Sequence, residues 1–288
     1  MVAKKRNQHY VPKSWIKRFA AANGVLHAWD GQKIRQKSAD KIMSGDWLYT
    51  VFDNTWQASD ALEDELSKVE GKAADLVKRI SNKKYSAKAA DREQLGSFLA
   101  LQACRHPDVM NRGYRRAREL GALLASAPTL PNAQAFALKT ANFGIPSSTA
   151  AELFKYLNTR SPAQLRLEMD ELNRLSEQDP QLPIQDALRA TQQITQMISQ
   201  MTFTLLDAPP GSAFILGDTP LPQEHLGQGF TVPLSKSLAL EATPGNSPQT
   251  TMPRRVATTP EVAAANRTQW ENALHLVVGP SAAVFKTL

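Results

Sequence analysis

The spacing of apolar residues changes period twice along this chain of 288 residues. Between about residues 60 and 200 it follows the helical turn: Leu62, Leu66, Val69, Ala73, Leu76 and Ile80 recur at intervals of three and four and define one amphipathic face. Asp60 is placed to cap that helix, with Glu63 closing a capping box. A second helix is predicted over 87–105, ending where "RHP" breaks the pattern, and a third from Pro107 to about Ser126. Further helices are expected near 132–142, 147–158, 162–178 and 184–200; Ser161 and Pro162 open one of them, and Gly144 before Pro146 ends another. On either side of this helical middle the pattern shortens to that of strands. Residues 25–29 and 32–37 flank Asp30-Gly31, a dipeptide suited to a type I′ hairpin turn, and "WLYTVF" reads as a third strand or extended segment. From Met201 onward, "MTFTLLDAPPGSAFILGDTPL" reads as strand, turn, strand, and "GFTVPLSKSLALEAT" as a pair joined near Lys236. A Pro/Ser/Thr-rich loop, a helix from Pro260 to about Leu276 and a short apolar tail complete the chain. Strands at both ends around a helical middle predict a helix-rich α+β domain, with a small, mainly antiparallel sheet built from N- and C-terminal strands. Three segments divide it: arm, helix and hairpin over 1–56, helical core over 57–200, strands plus helix over 201–288.

Charge adds an asymmetry to this picture. Residues 1–37 hold nine basic side chains against one acid, Asp30, a net of +8; the whole chain carries +7, so the remainder sums to −1. The basic excess therefore sits at the N-terminus, where Lys4, Lys5 and Arg6 begin the stretch "KKRNQHYVPKSWIKRF". Such a patch attracts phosphates, which makes nucleic acid a candidate partner; equally it can be a solvated face. No apolar run approaches the roughly 18 residues of a membrane span, and no apolar segment of a secretory signal follows the basic start. A single cysteine, Cys104, precludes an internal disulfide. These features favour a cytoplasmic protein, or one exported without a cleaved signal, and exclude a membrane partner.

Candidate chemistry lies at four places. His9 stands just ahead of the helix that Pro12 opens, with Asn7, Gln8 and Tyr10 around it; it is either a packed histidine or part of an anion or metal site. Glu63 and Glu70 are seven residues apart, within about 20° on one edge of the first long helix. They could ligate a metal or act as acid and base, or Glu63 could serve the helix cap and Glu70 the surface. Gln102, Arg105 and His106 leave the apolar run "FLALQACRHP" at its end, where an arginine can clamp a carboxylate or phosphate and the histidine can cap the next helix. Asp218 ends the apolar strand "FILGD" as a possible metal ligand, base or turn former. No phosphate-binding glycine loop, Cys-x-x-Cys pair, His-Glu-x-x-His or Gly-x-Ser-x-Gly motif is present.

Taken in order, "NQHYVP", E-x-x-L-x-x-x-E, LQxxRxP, "GDTP" and "VPLS…L" resemble the domain-of-unknown-function family numbered 4238, from Asn7 to about Asn266. The resemblance implies one constellation of His9, Glu63, Glu70, Gln102, Arg105, Asp218 and Asn266, and brings no established activity. His106 stands where many members carry a small residue. On these residues two functions are expected in turn. The first is a metal-assisted phosphodiesterase, a nuclease on DNA or RNA in a defence or toxin context. There His9, Glu63, Glu70 and Asp218 would hold a divalent cation (Mg or Mn), His9, Glu70, Arg105 and Asp218 would form the catalytic set, and Arg105 would clamp phosphate. Lys4, Lys5, Arg6, Asn7, Gln8, Tyr10 and Gln102 would contact substrate. The second is a non-catalytic module for a phosphate-rich ligand or a protein, its polar residues forming a buried structural network. An open cleft would mark the first, a closed and fully paired constellation the second.

Overall fold

In chain order the N-terminal part folds as β1 (Asn7–His9), the single-turn helix α1 (Lys13–Ile16), β2 (Leu26–Trp29), β3 (Ile34–Lys37), β4 (Ser44–Asp46), β5 (Val51–Phe52) and β6 (Ala58–Ser59). Two long helices follow, α2 (Ala61–Ile80) and α3 (Ala89–Cys104). Then come the short α4 (Pro107–Met110), and α5 (Arg112–Ala125), α6 (Ala133–Thr140), α7 (Ser147–Leu157), α8 (Pro162–Glu177) and α9 (Leu182–Ser199). The C-terminal part contributes β7 (Met201–Asp207), β8 (Leu216–Gly217), β9 (Phe230–Ser235), β10 (Leu238–Pro244), β11 (Arg254–Val256), α10 (Thr259–Asn272) and β12 (Val277–Gly279). The structure, a computed structural model, describes residues 6–52, 58–177, 182–222, 225–245 and 251–287. The chain is α+β and helix-rich, as its periodicity predicts.

Residues 1–107 and 187–288 pack as one compact unit, and residues 108–186 as a second. In the first, N- and C-terminal strands meet in one sheet of order β3-β2-β12-β8, in which β12 lies antiparallel to β2 with Val278 opposite Ala28. The apolar tail expected after the last helix is thus an inner strand of the sheet. Its run of three is too short to carry a readable alternation, and both its faces are buried. A second sheet, β11-β7-β10-β9, is antiparallel except for β11, which runs parallel to β7. The Pro/Ser/Thr-rich loop therefore contains a strand, while residues 246–250 lie outside the described residues.

Packing of α1 follows its pattern. Trp15, Ile16 and Phe19 are all buried, and the Trp15 indole N–H donates to the Pro233 carbonyl at 3.1 Å while its ring meets Phe98 at 5.2 Å. A buried indole needs such an acceptor. The α2 stripe buries Leu66, Ala73, Leu76, Val77 and Ile80, but Val69 is exposed. Asp60 precedes α2 without a side-chain cap; the Ser59 hydroxyl instead accepts from the Ala61 N–H at 3.2 Å, so the expected capping box does not form. The β2–β3 loop also departs from expectation. Gly31 takes φ 86°, but Asp30 is not in the left-handed region, and its carboxylate accepts from the Gln32 and Lys33 N–H groups. A side-chain-braced loop with Trp29 opposite Ile34 replaces the two-residue type I′ turn. The helix predicted from Pro107 to Ser126 is interrupted at Asn111.

The second unit has its own small core of Ala125, Ala127, Phe136, Ala150, Leu157 and Leu165, with Phe136 and Phe154 rings 5.6 Å apart. No helix among the described residues is long and apolar enough to cross a membrane.

One ion pair fixes the second sheet to the helices. Arg254 of β11 makes a two-pronged contact with Asp207 of β7, at 2.8 and 2.6 Å, and also donates to the Ile80 carbonyl at the end of α2. The Arg254 hydrogen bonds hold the Asp207 carboxyl below its usual range, against the opposing effect of burial. Because the folded value is depressed, the pair stabilises the protein above the ordinary carboxylate range, and that stability is lost as pH falls through it. Asp207→Asn should therefore cost about 2–3 kcal/mol at neutral pH, and its deficit against wild type should shrink toward about pH 3 in urea-denaturation series.

Candidate functional site

Arg105 is the hub of the polar residues that the sequence singles out. It ends α3 and is buried at 3% exposure, so its charge must be met inside the protein. Glu70, half-buried on α2, pairs with its Nη1; Nη2 donates to the His9 carbonyl at 2.9 Å; and the guanidinium lies 4.8 Å over the Tyr49 ring. Tyr49 in turn donates from its hydroxyl to the Arg105 carbonyl at 2.9 Å. Burial alone would lower the guanidinium pKa, but Tyr49 and Glu70 outweigh it and hold it above the ordinary arginine value. Burial pushes the Tyr49 phenol up, and the charges of Glu63 and Glu70 push it the same way. With its amide oxygen toward Arg105 Nη1 (3.2 Å) and its nitrogen toward the Tyr10 carbonyl (3.2 Å), the buried Gln102 completes the group.

The opening motif supplies backbone more than side chains to this hub. His9 is half-buried, and its Nε2 donates to the Ala39 carbonyl at 3.0 Å, which fixes the tautomer and turns the ring toward residue 39. Gln8, fully buried, bridges the Tyr49 N–H (2.6 Å) and the Thr50 hydroxyl (3.3 Å). Asn7 is exposed and donates to the Asp40 carbonyl at 3.2 Å. These bonds pin β1 to β4 and the turn after it, with Gln8 opposite Gly45. The anion-favouring helix end expected beside His9 is a single turn, α1, and carries little dipole. Arg6 is exposed and pairs with Asp46 at 2.7 Å; Lys4 and Lys5 lie outside the described residues.

Asp218 belongs to a neighbouring group. Its carboxylate is buried and accepts three backbone N–H bonds, from Leu274 at 2.8 Å, His275 at 2.8 Å and Leu276 at 3.0 Å. A carboxylate so satisfied fixes the turn between α10 and β12. His106 bridges the two groups: its Nε2 lies 3.7 Å from Asp218 Oδ2, its ring meets Tyr10 edge-on at 4.6 Å, and the His275 ring lies 5.6 Å away. Asn266, the remaining family position, clamps β8 from α10: it accepts from the Ile215 N–H at 3.0 Å and donates to the Ala213 carbonyl at 2.9 Å. Gln269 repeats the device one turn later on Gly217 and Pro220. A Cβ at Gly217 would lie 2.7 Å from the Gln269 carbonyl, so only glycine allows this approach.

The structure therefore brings Glu70, Gln102, Arg105 and the His9 backbone together, and joins Asp218 to them through His106 and Tyr10. The His9 ring turns to the Ala39 carbonyl and the Asp218 carboxylate to backbone N–H groups, while Glu63 acts on the hub through its charge on the Tyr49 phenol. Three partners escaped the sequence. Tyr49 sits in a run read as a strand or extended segment, and Gln269 and His275 in the helix read from Pro260 to about Leu276. Only the Gly217–Gln269 approach left a trace, in the "LGD" glycine.

With this geometry in hand, the class of protein is an α+β chain organised around a buried arginine and a backbone-saturated aspartate. The chain belongs to the family described as "Protein of unknown function (DUF4238)", which matches residues 7–283. No curated protein and no solved structure matches it.

Glu70→Gln tests the hub. The substitution keeps volume but leaves the Arg105 charge buried without its counter-ion, so it should cost about 3 kcal/mol, well above the roughly 0.5 kcal/mol of an ordinary helix-surface change. In a double-mutant cycle with Arg105→Met, the two effects should fall short of additivity by at least about 1 kcal/mol, read from urea midpoints at constant slope.

Proposed function

We propose that this protein is a non-catalytic binding module for a phosphate-rich polyanion, held on its basic N-terminal face, with the polar constellation as the frame that shapes that face. The closure of the constellation carries this reading. Arg105 and Asp218 are buried, and each is committed to partners within the chain: a carboxylate and a carbonyl for one, three amide N–H groups for the other. A hydrolytic centre needs carboxylates that a cation and water can reach. The cations, by contrast, face outward. A cleft of about 410 Å³ is lined by Lys17, Lys37, Val25, Ser38 and Asp40, and Lys33, Arg35 and Lys41 are exposed nearby in the chain. Asp40, the acid in this cleft, is paired with Lys13, and the charge of Lys17 also holds its carboxyl below the usual range.

Binding should be salt-sensitive. Lys17→Glu with Lys37→Glu should reduce the slope of log affinity against log salt by about two units for duplex DNA, one for each phosphate no longer neutralised. An unchanged slope in fluorescence anisotropy would place these lysines outside the binding surface.

One observation favours the second reading, a metal-assisted phosphodiesterase or nuclease. His106 is an imidazole backed by a carboxylate with a second imidazole, His275, beside it, and proteins orient metal-ligating histidines in this way. In that reading His106 and His275, not His9, Glu63 and Glu70, hold the metal. A thermal-shift panel of divalent cations, paired with a cleavage assay on DNA and RNA, separates the two. A metal-dependent stabilisation lost in His106→Ala, together with chelator-sensitive cleavage, would replace the module with the hydrolase.

A further inference from the structure

One exposed tryptophan of the N-terminal segment has no role in the fold described above. Trp47 follows β4 with φ 58°, in the left-handed region that disfavours bulky side chains, and 43% of it is exposed. Its backbone is held there by two bonds: its N–H donates to the Arg6 carbonyl at 2.8 Å, and its carbonyl accepts from Thr50 at 3.3 Å. The indole is thus presented to solvent on a turn braced by the backbone of Arg6, whose guanidinium is also exposed.

A chain of contacts links it to the cleft. Asp40 lines the cleft and its carbonyl accepts from Asn7; Asn7 lies opposite Asp46, and Trp47 is the next residue. Basic side chains that track a backbone and an aromatic face that takes a base are the two parts of a single-strand site; in a duplex the base faces are hidden in the stack.

We propose that the ligand of the basic face is single-stranded nucleic acid, with its phosphates along Lys17 and Lys37 and one base stacked on Trp47. This rests on the polyanion-binding reading and names its substrate class. The charge of the surface and the exposed indole select this occupant, with no sequence preference required of it.

The test uses the full chain and three probes: an oligothymidylate of about 12 nucleotides, a duplex of equal length, and heparin. Trp47→Gly suits the left-handed backbone and removes the indole, and Trp47→Phe retains a stacking ring. Wild type should bind the single strand most tightly, with quenching of tryptophan fluorescence. Trp47→Gly should lose the quenching and weaken single-strand binding about tenfold, with duplex and heparin binding unchanged, and Trp47→Phe should recover most of the affinity. Equal binding of all three probes by wild type and Trp47→Gly would overturn the stacking role and leave the basic surface intact. Binding of none of them would remove the polyanion reading itself, and capture of a protein partner on this face would overturn both.

Discussion

A permanently charged guanidinium in a buried position constrains the first unit more than any other feature. Arg105 cannot shed its proton, so the chain must deliver acceptors to it from several directions. Glu70 comes from α2, a carbonyl from β1, the Tyr49 ring and hydroxyl from the turn after β4, and the Gln102 amide from the same helix. Segments separated by up to 96 residues are thereby brought to one place. The spacing of Glu70 on α2 and the fixed fork of the arginine set where β1 must lie, and Gln8 then ties the following turn to it.

Asp218 solves a similar problem with backbone alone. Three amide N–H groups surround its carboxylate, and its own N–H donates to the Leu276 carbonyl at 2.9 Å, so the strand end and the turn after α10 are locked together. From there β12 enters the sheet between β2 and β8, and α10 lays Trp270 against Trp29 with ring centroids 4.0 Å apart. The N- and C-terminal parts are joined through this sheet, and His106 links the aspartate to the arginine hub through Tyr10.

Glu70, Arg105 and Asp218 are thereby each held by partners within the chain. A buried polar group with incomplete partners is costly, so once such a network exists each member is held by the others. Among the basic residues of the same N-terminal stretch, Lys13 pairs with Asp40, Arg18 donates to the Ala74 carbonyl, and Arg6 pairs with Asp46 at the surface. Lys17 and Lys37 are exposed, and Trp47 stands on a turn whose backbone is held by Arg6 and Thr50.

Periodicity and charge alone determined the helix-rich α+β class, the positions of most helices, the burial of Trp15, Ile16 and Phe19, the β9–β10 pair and the N-terminal concentration of cations. These are local properties: a repeat of three and four or an amphipathic face is written in adjacent residues. Glu70 and Arg105 were legible as special, but their pairing was not, because nothing in a single chain tells a carboxylate on a helix edge which cation it will meet. Likewise β12, three residues long, has no pattern of its own, and the Asp218 ligands are backbone amides that every sequence contains. The tertiary structure decided these matters, since they depend on which polar groups lose water together when distant segments pack.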